Sequence, residues 1–373
     1  MAAKNILLVQ LYSNGDCLYA TAVARQIKAD FPDCILTWAI ADFCKDIITG
    51  NPFVDKVMVI EDLIKSDVTS FRKLKRQFIS KRSLPGFDSI YITQNMDTNQ
   101  AFYDGCIRSN ILNAYPSPLT VPLQPVLRLT DTEIRHVEIF AKQHDLVGYE
   151  HVVLFEFAPQ SGQSNKITDD FVISVANGIV ENSKTAVVLS SGKALVHSNP
   201  SVIDGSCLSL RETAALTRYC SLLLGCSSGI TWISTSDAAR QIPMVQLLDG
   251  WTTWVNPVSR DFKRFGLPVE SVLELIEFDN ASTVQCVRSA LQDFETARKK
   301  YNQVVPLHFK TTRKIVYNLL CYFEFGAIIQ HIRVNHKVYG IRATFYKEIV
   351  MAFVEFPFKL LKNLVVKKLI NKT

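Results

Sequence analysis

Residues 221–248, SLLLGCSSGITWISTSDAARQIPMVQLL, constrain the fold of this chain more than any other stretch. An apolar run at 222–224 meets a turn of small residues, Gly225, Cys226, Ser227, Ser228 and Gly229. A helix-like segment of about ten residues follows, and then a second apolar strand at 243–248. Strand, tight turn, helix and strand in that order make a βαβ unit of a parallel sheet. Small side chains where a helix leaves N–H groups open allow an anion to sit there. A structural turn with Ser227 or Ser228 as helix cap accounts for the same residues.

The same alternation runs through the rest of the chain. Apolar strands at 5–11, 35–40 and 54–60 enclose a helical spacing at 17–30 and a short helix at 43–49, which predicts β-α-β-α-β for residues 1–60. The basic segment 65–82 predicts a solvated helix, 89–93 a further strand and 99–112 a further helix. Pro116, Pro118, Pro122 and Pro125 then interrupt the pattern as a crossing between domains does. Capping boxes at Thr130/Glu133 and Ser209/Glu212 open helices that end near 144 and 219. Between them lie strands at 151–157 and Thr185–Ser190 and a helix at 168–180; beyond 248, residues 251–268 read as irregular and 282–301 as one charged helix.

There is no internal repeat, yet both halves share the alternation. The expected class is therefore α/β, with two Rossmann-like domains facing across a cleft. The expected division is 1–125, 126–280, a return helix at 281–305 and a basic amphipathic helical extension at 306–373.

Bulk properties agree. A chain of 373 residues is too long for one ordinary core. With 48% hydrophobic and 20% charged residues it is too apolar to stay disordered over most of its length. The net charge of +6 is uneven: residues 306–373 hold twelve Lys or Arg and three Glu, a local +9 that leaves −3 elsewhere. That distribution argues against nucleic acid as a partner and for a C-terminal element meeting an anionic membrane surface. Nine cysteines without a C-x-x-C pair read as reduced cytoplasmic thiols. The early apolar run at 6–11 is too short for a secretory signal, and no run approaches the ~20 apolar residues of a membrane span.

Within 342–372 apolar residues recur in pairs, among them Phe345/Tyr346, Ile349/Val350, Phe353/Val354 and Leu360/Leu361, with Lys347, Lys359, Lys362, Lys367 and Lys368 in the gaps. On a helix kinked at Pro357 this makes an apolar stripe flanked by lysines, suited to a membrane interface. Packing of the stripe on the protein's own domains is the alternative.

Three segments, 6–21 (ILLVQLYSNGDCLYAT), 50–55 (GNPFVD) and 209–248, resemble glycosyltransferase family 9, the lipopolysaccharide heptosyltransferase family, in order and spacing. The resemblance implies a GT-B fold and an inverting, metal-independent glycosyltransferase. Such an enzyme moves a sugar from a nucleotide-sugar, its donor substrate with no further cofactor, to a lipopolysaccharide or other surface-glycan acceptor. It places the acceptor at the N-terminal domain and the donor at the C-terminal one. A lipid-linked acceptor would put the chain in the cytoplasm, peripheral on the inner face of the cell membrane.

Carried across by residue, the family's first turn falls on 12–16. Ser13, Asn14 and Gly15 become the acceptor-side loop, with Gly15 easing a sharp bend. Asp16 becomes the general base, the group an acceptor hydroxyl needs to become a nucleophile; a helix cap is the alternative for an Asp here. The family's diphosphate-binding lysine falls on Lys166, with Ser161 and Gly162 adding backbone donors; a cation there stabilises a leaving diphosphate. An exposed loop lysine is the ordinary alternative. Ser227, Ser228, Gly229 and Thr231 match the phosphate-binding turn. Glu212 matches an acidic residue near the nucleoside, although its capping box explains it equally well.

The chain also departs from the family. Ser227-Ser228-Gly229 and Trp232 replace Asp-Ser-Gly and a following His, Lys166-Ile167-Thr168-Asp169 replaces K-R-W-P, and Leu248-Asp249-Gly250-Trp251 replaces F-G-P-T. Heptose as donor sugar therefore does not follow from the resemblance. These departures motivate an alternative: a non-catalytic nucleotide- or glycan-binding scaffold of the same fold at the membrane. A nicotinamide oxidoreductase lacks its G-x-G-x-x-G after the first strand, and no paired metal spacing or G-x-S-x-G occurs.

Overall fold

The computed structural model describes residues 3–64, 67–80, 86–157, 166–249 and 257–370, with side chains as far as Lys359. The first unit contains β1 (Asn5–Val9), α1 (Asn14–Asp30), β2 (Ile35–Ala41), β3 (Lys56–Ile60), α2 (Val68–Ile79), β4 (Ser89–Ile92) and α3 (Ile107–Leu112). Its strands are parallel in the order β3-β2-β1-β4. β1 and β2 are covered on both faces, which is why they read as unbroken apolar runs.

Residues 113–130 cross to the second unit. The crossing is bonded to both sides: the Val126 amide donates to Thr21 Oγ1 (2.9 Å) and the Leu127 amide to Asp237 Oδ1 (2.8 Å). The second unit runs through α4 (Asp131–Gln143), β5 (His151–Glu156), α5 (Asp169–Val180), β6 (Thr185–Ser190), β7 (Val202–Asp204), α6 (Leu210–Leu216) and β8 (Leu222–Gly225). It continues with α7 (Gly229–Ile233), β9 (Met244–Leu247), α8 (Val258–Phe265), β10 (Val272–Leu275), α9 (Asn280–Gln292) and α10 (Phe294–Tyr301). Its sheet is also parallel, in the order β10-β9-β8-β5-β6-β7. In both sheets the winding reverses beside the unit's first strand, between β1 and β4 and between β5 and β8. Such switch points open a crevice at the carboxyl ends of the strands.

Both predicted capping boxes form, Thr130 with Glu133 and Ser209 with Glu212. Other local expectations change. The helix after Gly229 is five residues long, not ten. Ser234 and Thr235 turn their hydroxyls back on the carbonyls of Thr231 and Trp232, both at 2.7 Å, and so compete with continued helix. The charged helix at 282–301 is two helices, because Asp293 ends α9 and caps α10 through the Thr296 amide. The helix expected at 99–112 is a short 3-10 turn followed by α3, broken where Gly105 takes φ +93°. Residues 258–265, expected to be irregular, form α8, which buries Val258 and Phe262 in the core and packs the half-buried Phe265 beside them. The strands β7 and β10 are additions to the pattern expected from the sequence.

The C-terminal residues form α11 (Lys310–Leu320), α12 (Phe325–Tyr339) and α13 (Ala343–Ile370), which continues through Pro357. They dock on the first unit. Asn335 Nδ2 donates to the Tyr103 carbonyl (3.0 Å) and the Tyr339 hydroxyl to the Asp104 carbonyl (2.6 Å). The apolar pairs divide between two faces of α13. Phe345, Ile349 and Ala352 enter a core with Phe309, Ile315 and Leu319, whereas Val350, Phe353, Val354 and Phe358 are exposed. Among the described residues no helix is long and apolar enough to cross a membrane.

Candidate functional site

Each switch point carries a turn whose conformation is unusual. In the first unit β1 passes through Gln10 into a turn that closes at Ser13, with φ +71°, before α1 begins. The sharp bend is thus at Ser13 and not at Gly15. A side chain from beyond β4 holds the turn: Gln94 Oε1 accepts the amides of Leu11 (2.8 Å) and Tyr12 (3.1 Å). Gln10 locks this network by donating to Gln94 and accepting from the Thr93 hydroxyl (2.9 Å). Asp16 is half-buried in the first turn of α1. The N-cap position belongs to Ser13, whose side chain makes no capping bond, and Asp16 is the third residue of α1.

The second turn leaves β8 with Ser227 at φ +56°. Gln246, on the neighbouring β9, accepts the Ser227 amide at Oε1 (2.7 Å) and also the Thr231 hydroxyl (3.3 Å). Glu156, the last residue of β5, accepts the Thr231 hydroxyl (2.9 Å) and the Cys226 amide (3.4 Å) at Oε2. Glu156, Gln246 and Thr231 are all buried. A Cβ on Gly225 would stand 2.9 Å from Glu156 Oε2 and Thr231 Oγ1 and 3.0 Å from Gln246 Nε2, so only glycine fits between them. Burial pushes the Glu156 pKa up to about 7, against the opposing bonds from Thr231 and Cys226.

The two turns meet. A Cβ on Gly15 would lie 3.3 Å from Trp232 Cδ1, and one on Gly229 would lie 3.8 Å from Asn14 Cβ. Gly15 is therefore a close-approach glycine. Tyr19 stands edge-on to Trp232 with ring centroids 5.2 Å apart. Behind this contact the buried Arg108 guanidinium sits among the rings of Tyr19 (4.6 Å), Phe265 (5.3 Å) and Trp232 (5.5 Å) and pairs with Asp261 at 3.1 Å. Desolvation raises Asp261 to about 6 in spite of that cation. In front, a cavity of about 240 Å³ is lined from both units, by Asn14, Phe43, Asp46, Glu133, Ser209 and Arg211 among others. Arg211 is engaged there by the Glu133 carboxylate (2.6 Å) and by the Asp46 carbonyl (2.8 Å). The hydrogen bond from Arg211 is the first cause holding Glu133 down at about 2.

The structure brings Ser13, Asn14, Gly15 and Asp16 to the turn that bears Ser227, Ser228, Gly229 and Thr231. It also changes what that turn can offer, since the Cys226 and Ser227 amides and the Thr231 hydroxyl face Glu156 and Gln246. Lys166 is exposed, with its ammonium 5.5 Å from the Phe278 ring centroid. It follows β5 and Phe278 follows β10, so both lie at the carboxyl edge of the second sheet. Ser161 and Gly162 lie outside the described residues. Glu212 accepts the Ser209 amide (2.7 Å) and pairs with His136 (2.7 Å). Burial pushes its carboxyl up, but these bonds prevail and hold it below the ordinary value. Its observed contacts are those of a structural cap. Glu156, Gln246, Gln94 and Arg108 were not singled out in the sequence. A polar residue ending an apolar strand, as Glu156 ends HVVLFE, was the available signal for the first of them. Among the described residues no cluster of His, Cys, Asp or Glu could hold a metal ion.

No family model matches the sequence, and no curated protein matches it significantly. Solved structures do match in fold. The glycosyl transferase family 9 protein of Veillonella parvula is 13% identical, with a TM-score of 0.54, over 79% of this chain and 99% of its own. The ADP-heptose lipopolysaccharide heptosyltransferase II of E. coli is 15% identical, with a TM-score of 0.52, over 78% of this chain and 99% of its own. About a fifth of this chain lies outside each match. The paired parallel sheets and these likenesses give the chain the GT-B fold, and in fold it resembles glycosyltransferase family 9.

Proposed function

We propose that the chain is an inverting, metal-independent GT-B glycosyltransferase that transfers a sugar from a nucleotide-sugar to a lipopolysaccharide or other surface-glycan acceptor. The observation that carries this reading is the approach of residues 13–16 to residues 228–232 between the carboxyl edges of two doubly wound sheets. Asp16 takes the proton of an acceptor hydroxyl as that oxygen bonds to the anomeric carbon. The bond from that carbon to the diphosphate breaks on the opposite face through an oxocarbenium-like state. Negative charge then grows on the leaving diphosphate, where Lys166 and the donors remaining on the 227–231 turn oppose it. An assay of nucleoside-diphosphate sugars with wild type and Asp16→Asn tests the reading. Turnover by wild type that collapses in the variant supports it.

Charge and exposure support a place on the inner face of the cell membrane. On α13 the two described carboxylates turn inward, Glu348 and Glu355 bonding Arg313 at 2.7 Å and 3.0 Å. The opposite face presents Val350, Val354, Phe358 and Lys347. Vesicles containing anionic lipid should carry the protein upward in flotation, neutral vesicles should not, and Val350→Asp with Phe358→Asp should abolish the difference without altering the melting temperature.

One observation favours a second reading, the non-catalytic scaffold. Three donors of the 226–231 turn are already engaged inside the protein. Absence of turnover with every donor in the panel, combined with retained nucleotide binding, selects it.

A further inference from the structure

Glu156 is a buried carboxyl at the switch point of the second sheet, only 1% exposed, and the mechanism above does not use it. Oε2 accepts from Thr231 and Cys226, while Oε1 has no hydrogen-bond partner among the described residues. Gln246 Nε2 is likewise without a partner among them. Burying such groups unpaired is unfavourable. Their positions converge at Gly225, where one added carbon would touch Glu156, Thr231 and Gln246 together.

We propose that Glu156 is the positioning residue of the 226–231 turn, and that the charge on its carboxyl governs how strongly that turn holds the diphosphate of a nucleotide. The proposal rests on the donor-side reading above. An ionised Glu156 draws the Cys226 amide and the Thr231 hydroxyl inward and sets a negative charge beneath the turn. A protonated Glu156 removes that charge and becomes a hydrogen-bond donor itself. The groups around it leave the carboxyl to titrate nearly alone. Ser190 is its register partner on β6, Leu224 ends the pairing on β8, Gln246 comes from β9 and Thr231 from α7. Among the described residues that contact it, the only other titratable group is the Cys226 thiol, held protonated by burial and by Glu156 itself. With the carboxyl poised near neutrality, a diphosphate arriving above it should bring a proton with it.

The test is calorimetric titration of ADP, UDP, GDP and CDP into the full chain at pH 6, 7 and 8, in two buffers of different ionisation enthalpy. Wild type and Glu156→Gln are compared. The expected result is net proton uptake by wild type near pH 7 and binding about tenfold weaker at pH 8 than at pH 6. In Glu156→Gln, which is neutral at every pH, the Glu156-linked uptake should vanish while binding persists. Equal proton uptake and an equal pH profile in both proteins overturn the inference and leave the donor-side reading standing. No binding of any of the four nucleotides to wild type overturns the donor-side reading and this inference with it. If the variant does not fold, infrared difference spectra of wild type on nucleotide addition answer the same question. A rising protonated-carboxyl band supports the inference and an unchanged one overturns it.

Discussion

The turn at 10–16 and the turn at 225–231 are built alike and differ in where each has a carboxyl. Each leaves the carboxyl end of a central parallel strand at a switch point. Each puts a serine at positive φ, Ser13 at +71° and Ser227 at +56°. Each is held by a glutamine from a neighbouring strand end, Gln94 in the first unit and Gln246 in the second, whose carbonyl oxygen accepts the turn's amides. Behind the first turn the remaining partners, Gln10, Thr93 and Trp38, are neutral. Behind the second lies an ionisable carboxyl, Glu156. The same backbone problem is solved twice, but only the second solution has a buried carboxyl among the groups that hold the turn. The first turn has its carboxylate within its own sequence instead, Asp16, half-buried at the start of α1.

Asp16→Asn should produce the largest effect. If the two turns divide into base and anion holder, transfer falls by about 10²- to 10⁴-fold in single-turnover assays, with nucleotide affinity nearly unchanged. A variant as active as wild type would remove the functional half of the contrast. Next comes the link between the turns. Arg108→Met leaves Asp261 buried without its cation and loosens Trp232 and Tyr19, so unfolding free energy should drop by about 3–5 kcal/mol in urea titrations.

The third effect separates the turns by pH. Below about 4.5, its ordinary value, Glu156 is protonated in both folded and unfolded chains. Between there and about 7 the folded chain binds more protons than the unfolded one, so stability falls as pH rises, by about 3 kcal/mol in all. Urea midpoints at pH 5 and pH 8 should differ less in Glu156→Gln than in wild type, and Gln94→Leu should not alter the difference.

The smallest effect compares the glycines. Gly225→Ala meets three polar atoms at 3.0 Å or less and should cost about 1–3 kcal/mol. Gly15→Ala meets one ring atom at 3.3 Å and gains helix propensity, so it should stay within about 1 kcal/mol of wild type by thermal melt.

Legibility in the sequence followed the range of the interactions. Signals complete within a few residues were visible and correct in kind: the apolar runs of β1, β5 and β8, the two capping boxes and the small-residue turn after β8. They were enough to indicate two doubly wound units. Local signals failed where the deciding partner lay elsewhere or the apolar pattern was thin, as at α8, β7 and β10. The paired residues of α13 show the limit: their spacing announces a helix, yet only packing against α11 determines that Phe345 and Ile349 go in while Val350 and Val354 stay out.

By itself, then, the sequence determined the alternation of strand and helix, the caps and the glycine-serine turns, because propensity, capping and apolar period act over one or two turns of chain. Tertiary structure alone decided what stands behind each turn. Gln94 reaches Leu11 across 83 residues, and Glu156 reaches Cys226 across 70. Contacts of that span exist only once parallel strands have chosen their neighbours and register, and no local pattern encodes that choice.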